Sequence, residues 1–132
     1  MSRLSCGLLI VAVMLVGCKS QAPAPTQPPP PPPVTQQQFS QIRDSYQAAN
    51  PNARVGLVTS VLPSANLAAV GDVPVADFKA GDFITFEDSQ LNILTSGVVE
   101  STDGNVLTVK YDNPDAGGRI PAVGDLAIRA IR

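Results

Sequence analysis

Eleven acidic side chains and two cysteines carry most of the chemistry open to this 132-residue chain, because it contains no histidine. Without an imidazole it can build neither a Ser-His-Asp nor a Cys-His site, nor a zinc site with a histidine ligand. The remaining catalytic routes are carboxylate or lysine chemistry, and the carboxylate form would need two acids flanking a glycosidic bond. Glu87 and Glu100 are the only glutamates, and nothing in their spacing brings them to one cleft. Asp112-x-x-Asp115, and the trio Asp72, Asp77 and Asp82, offer the oxygens that calcium takes, typically about six to eight at a time. Neither follows the pattern of a calcium-binding loop, and turn capping accounts for them. Asp103-Gly104-Asn105 is explained by a hairpin. Gly117-Gly118-Arg119, whose amides would suit an anion, is explained by a surface loop. No metal or cofactor is expected.

Of the two cysteines, Cys18 has the more telling surroundings. Arg3 is followed by an apolar run from Leu4 to Val16, and Gly17 then precedes Cys18. The run falls short of the roughly 20 apolar residues that span a bilayer, and its order of charge, apolar stretch and small residue is that of a secretory signal. Leu15-Val16-Gly17-Cys18 resembles the lipobox of bacterial lipoproteins. The resemblance implies cleavage before Cys18, a diacylglycerol on its sulfur and an acylated amino group. Residues 1–17 are then the signal peptide, and Cys6 leaves with them. The mature chain has no second cysteine for an intramolecular disulfide. The implied address is the bacterial cell envelope, with a lipid anchor in the membrane. Under enteric-type sorting, Lys19 in place of an aspartate favours the outer membrane.

Loss of Arg3 with the leader leaves eight basic residues against eleven acidic ones. Without a basic block, nucleic acid is not an expected partner. The chain has no tryptophan and two tyrosines, Tyr46 and Tyr111, both at positions predicted to be buried. Stacking of sugars on exposed aromatics is therefore disfavoured as well.

The elements that would position these groups begin after a proline-rich tract. Pro23, Pro25 and the six consecutive prolines Pro28–Pro33 cannot join a sheet or run as a helix, and they predict an extended, disordered linker. At about 3.1 Å per residue, Lys19 to Pro33 reaches roughly 45 Å, so residues 18–34 read as a lipidated stalk. Thr35 and Gln38 have capping-box spacing, with Val34 and Phe39 placed as a hydrophobic staple. Phe39, Ile42, Tyr46 and Ala49 share one helical face, and Asn50-Pro51 stops the helix. Residues 35–53 are an amphipathic helix and its connection.

From Arg54 the pattern changes to short β segments. Arg54–Leu62 is the first, with a bulge or bend near Ser60, because Val58 and Val61 are three apart. Leu67–Val70, Phe83–Glu87 and Leu91–Ser101 follow, the last with an interruption at Gly97. Asp103-Gly104 predicts a type I′ hairpin turn, which leads into the alternation of Leu107, Val109 and Tyr111. Leu126–Ile131 is the final strand. Phe78–Ile84 and Pro121–Ile128 echo each other, each passing through Gly-Asp into an apolar strand, and Gly71-Asp72 is a third such pair. The echo resembles the strand-entry turn of small SH3-like barrels, including the carboxy-terminal barrel of some bacterial envelope and flagellar-associated proteins. That resemblance covers residues 54–132 and implies a mainly β fold: a small SH3-like barrel or twisted antiparallel sheet, preceded by one helix that caps an open end.

These readings lead to a noncatalytic, lipid-anchored envelope protein with a structural or adaptor role and an envelope protein as possible partner. The alternatives are a cell-wall-acting enzyme or accessory factor using Glu87, Glu100 or Asp82, and a barrel with a ligand-lined interior.

Overall fold

Reciprocal capping starts the helix where the spacing of Thr35 and Gln38 requires it. Gln38 N donates to Thr35 Oγ1 at 3.3 Å, and Thr35 N donates to Gln38 Oε1 at 3.1 Å. These bonds satisfy amides that every helix start leaves open. Helix α1 then runs Gln36–Ala49 and ends at an extended Asn50. The computed structural model describes residues 29, 31–115 and 118–130; Cys18, the segment expected to be a signal peptide and most of the one expected to be a stalk lie outside them.

Six strands follow: β1 Arg54–Leu62, β2 Leu67–Gly71, β3 Phe83–Glu87, β4 Ile93–Asp103, β5 Val106–Tyr111 and β6 Leu126–Arg129. They close into an antiparallel barrel in the order β1-β2-β5-β4-β3-β6, which leaves no unpaired sheet edge. Alternation along the strands divides the apolar residues between two cores. Ile84, Phe86, Val99, Leu107, Val109 and Tyr111 are among those that fill the interior, where Phe86 and Tyr111 meet edge to face at 6.3 Å. Val55, Leu57, Leu126 and Ile128 belong to a second cluster with Val34 and Phe39, and Ile42 and Tyr46 pack against it. The helix therefore lies on the outer wall of β1 and β6 rather than capping an open end. The wall holds it because both strands carry apolar residues on their outer as well as their inner face.

Several boundaries differ from expectation for local reasons. Contact with the barrel precedes the helix, with Pro33 against Gly124 and Val34 N donating to Gly124 O at 3.2 Å. Ala49 is exposed, so the buried helical stripe ends at Tyr46. The predicted bulge in β1 is present, with Val58 facing Val70 and Ser60 facing Ala69 so that Thr59 is the extra residue. Strand β4 starts at Ile93 rather than Leu91 and ends at Asp103. It continues unbroken through Gly97 and bulges at Glu100 instead. Asp103 pairs with Val106, so the hairpin loop is Gly104-Asn105, one residue later than expected. Gly104 carries the positive φ, and Asn105 does not share it, unlike a type I′ turn. Strand β6 ends at Arg129 and Ala130 is not part of it, while Ile131, the expected end, lies outside the described residues.

The Gly-Asp echo has a structural counterpart. Gly81 and Gly124 have φ of 96° and 91°, the left-handed value that the third position of a type II turn demands. Asp82 N donates to Lys79 O and Asp125 N to Ala122 O, closing the two turns. Gly81 and Asp82 both bond to Val99, just as Gly124 and Asp125 both bond to Val58. Each pair is thus a glycine-first bulge that launches β3 or β6. Gly71-Asp72 does not belong with them, since there the positive φ falls on Asp72.

The equivalence extends around the barrel. The pairing registers of β6-β1-β2 and β3-β4-β5 correspond, with Val58 equivalent to Val99, Gly56 to Gly97, Val70 to Val109 and Leu126 to Phe83. The pairs Thr85–Ile128 and Ala69–Thr108 map onto themselves, so a pseudo-twofold axis passes through both. The two matched glycines have the same reason for lacking a side chain. A Cβ on Gly56 would lie 2.6 Å from Val70 Cγ1 and 2.9 Å from Gly71 O, and one on Gly97 would lie 3.0 Å from Val109 Cγ1 and 2.7 Å from Lys110 O.

Because a backbone carbonyl blocks that position, Gly97→Ala should cost about 1–3 kcal/mol of stability by forcing β4 and β5 apart. Gly104→Asn, at a site with open space and a residue type that tolerates positive φ, should cost less. Urea unfolding of the two variants measures the difference.

Candidate functional site

Glu87, the first of the candidate carboxylates, ends β3 with its side chain toward α1. Tyr46 Oη donates to Glu87 Oε2 at 2.7 Å, which fastens the helix to the third strand of the wall. Glu87 is only 8% exposed. Burial pushes its pKa up, with the Asp88 charge adding to the rise and the tyrosine hydrogen bond opposing it. Tyr46 is pushed up to about 12 by burial, the bond to Glu87 and the carboxylate's charge. Glu100 is the exposed extra residue of the β4 bulge. Glu87 pairs with Ile93, seven positions from Glu100 along β4, a separation of about 20 Å at strand rise. The two glutamates do not form a pair.

The aspartates divide between turn caps and ion pairs. Asp88 closes the β3–β4 turn, accepting from Gln90 N at 2.8 Å and Asn92 N at 3.0 Å. Burial works to raise its pKa, but the bonds from Asn92 and Gln90 and the charge of Arg119 bring it below the ordinary value. Asp125 accepts a two-pronged contact from Arg119 at 2.6 and 2.8 Å, together with Ala122 N at 2.7 Å. The Arg119 pKa rises, the Asp125 hydrogen bonds outweighing desolvation.

Asp82 repeats this arrangement on the other side of the axis. It accepts from Lys79 N at 3.0 Å and from Arg129 Nη1 at 2.9 Å. Burial again works upward on its pKa, but Lys79 and Arg129 lower it on balance. Arg129 faces the same way as Ala127, and its side chain is only 10% exposed. Its guanidinium lies 4.3 Å over the Phe78 ring and donates to Asp77 O, while Arg54 Nε bonds Asp77 Oδ2 at 2.7 Å. Arg129 Nε has no partner among the described residues. Arg129, Asp82, Asp77, Phe78, Lys79 and Ala76 line an open cleft of about 430 Å³. Of the trio proposed from sequence, Asp77 and Asp82 thus meet around Arg129, and Asp72 stands apart as an exposed turn residue.

Asp112 and Asp115 line a second surface cleft, of about 490 Å³, with Ile93, Thr95, Ser96 and Gly118. Both carboxylates are exposed, while the Asp112 carbonyl accepts from Thr95 Oγ1 at 2.7 Å. Gly117 lies outside the described residues, and Gly118 N bonds Asp115 O rather than pointing at an open anion site. No group of three or more His, Cys, Asp or Glu side chains among the described residues is arranged to hold a metal ion. The Tyr46–Glu87 tie, the Arg119–Asp125 pair and the Arg129–Phe78 stack are not among the sequence expectations. Arg129 alone carried a signal, since strand alternation set it on the face opposite Leu126 and Ile128.

Comparison with family models, curated proteins and solved structures finds no match for this chain. Its site is therefore read from its own geometry. Asp82, its pKa lowered by Lys79 and Arg129, is a weak base, and the Asp82 and Asp125 side chains both serve to fix their turns. Glu87, whose pKa burial raises, is occupied by Tyr46.

Two measurements follow from these environments. The stability that Glu87 confers is fully present below its ordinary pKa of 4.5 and is lost as pH rises through the raised folded-state value. Glu87→Gln should therefore make the slope of unfolding free energy against pH more positive in that window, as read by urea titrations at stepped pH. Asp82→Asn leaves Arg129 buried without its counter-charge and should cost about 3 kcal/mol at neutral pH, a loss visible as a lower urea midpoint.

Proposed function

We propose that this chain is a noncatalytic lipoprotein of the bacterial cell envelope, anchored through Cys18 and presenting its helix and barrel for structural or adaptor contacts. The observation that carries the reading is the order of segments: a basic residue, an apolar run, Leu15-Val16-Gly17-Cys18, a proline tract, then the folded unit. No helix among the described residues is long and apolar enough to cross a membrane. Acyl chains on Cys18 would supply attachment at about 0.8 kcal/mol per buried CH₂, and more than one chain makes such anchoring stable. A partner in the envelope would then meet the domain at the raised local concentration that tethering gives.

The enzyme alternative rests on acidic groups that the fold commits elsewhere, Glu87 to Tyr46 and Asp82 to Arg129, with Glu100 remote from both. The ligand-binding alternative needs a lined hollow, whereas Phe86, Tyr111, Ile84 and Leu107 occupy the middle of the barrel.

Cys18→Ser should abolish incorporation of labelled fatty acid and move the protein out of the membrane fraction. Continued labelling, or mass spectrometry showing an intact and unmodified leader on the mature product, would overturn the proposal.

A further inference from the structure

We propose that the outer face formed by Gly81, Phe83 and Val98 docks the proline-rich tract of a second copy of this chain. The twin of that face is already occupied in the way the proposal requires. At the Gly124 turn, Pro33 lies over the glycine, Val34 N donates to Gly124 O, and Val34 is buried in the cluster that holds Leu126 and Leu57. The pseudo-twofold axis converts Gly124, Leu126 and Leu57 into Gly81, Phe83 and Val98.

At this second turn no described residue outside the turn lies within 4 Å of the place a Gly81 Cβ would take. The Gly81 carbonyl accepts no bond from a described residue. Phe83 is 76% exposed, and Val98, its cross-strand partner, is 36% exposed. A backbone acceptor, a glycine surface and an aromatic side chain thus stand together unpaired. Because proline has no N–H, the acceptor falls to the amides of Ala24, Thr26 or Gln27 in the tract, while the prolines cover the glycine and the ring.

The next row of the two faces decides what fits. Val55 and Ile128 lie beneath α1, but their equivalents are Ser96 and Thr85, paired across β3 and β4. An amphipathic helix would lose half its apolar footing there, so the occupant is a short extended segment. Proline-rich chain is extended before it binds and loses little entropy on docking against an aromatic. This sequence supplies such chain in Pro23, Pro25 and Pro28–Pro33, with no charged residue between Lys19 and Arg43. The tract of each copy is held at its carboxy-terminal end by its own Gly124 turn, and the prolines upstream of Pro33 are the part offered to a neighbour. The contact joins two different surfaces, so it is head-to-tail and can repeat from copy to copy.

The test places a photoreactive phenylalanine analogue at position 83 of the full chain, and separately at position 98, in cells expressing light and heavy isotope forms together. Trypsin releases residues 20–43 as one peptide, because no lysine or arginine lies between Lys19 and Arg43. Mixed-isotope crosslinks from positions 83 and 98 to that peptide are expected, with loss of the product when the probe sits at Leu62, an exposed residue off this face. Crosslinks within one copy only, crosslinks to a different protein only, or no crosslink at all would each overturn the proposal.

Discussion

The barrel depends on two short turns in which a glycine at positive φ hands the chain to an aspartate. Each turn lets one valine of the neighbouring strand bond to two successive residues, which bends the incoming strand sharply enough to join a closed wall. The aspartate side chain then holds both its own turn amide and an arginine from another segment. Arg129 reaches Asp82 from the end of β6, and Arg119 reaches Asp125 from the loop before it. At these two turns paired charges lie where the backbone is irregular, and there they fix geometry.

The same requirement explains the buried arginine. A guanidinium at the end of an otherwise apolar strand is costly unless its charge and donors are matched. Asp82, the Asp77 carbonyl and the Phe78 ring supply most of that match from three directions, with Nε alone left without a partner among the described residues. Outside the barrel the Tyr46–Glu87 bond plays a comparable part for the helix. It adds a directional contact to an apolar stripe that spans only Phe39, Ile42 and Tyr46.

What the sequence made legible was mostly local. The capping box, the β1 bulge, the alternation of β5 and the two Gly-Asp turns each rest on bonds or spacings over a few residues. The helix position, the Tyr46–Glu87 tie across 41 residues and the Asp82–Arg129 pair across 47 depend on which strands become neighbours. That choice is made by closure of the whole wall, and no short window records it. The unbroken course of β4 through Gly97 shows the difference. A glycine read as a break is instead the place where the carbonyl of Lys110 comes too close for any side chain. Cys18 is the opposite case, a residue whose role is argued from the sequence around it and owes nothing to the barrel.

Strand β6 lies between β3 and β1, the one position where the order of the wall departs furthest from the order of the chain. Until it arrives, β1 and β3 each present an open flank, and the helix has only half of the surface it lies on. During synthesis the five earlier strands must therefore wait as an incomplete sheet, exposed to pairing with other nascent chains. The four residues of β6 seal both flanks and finish the helix seat together, so closure of the barrel and docking of the helix depend on the same short strand.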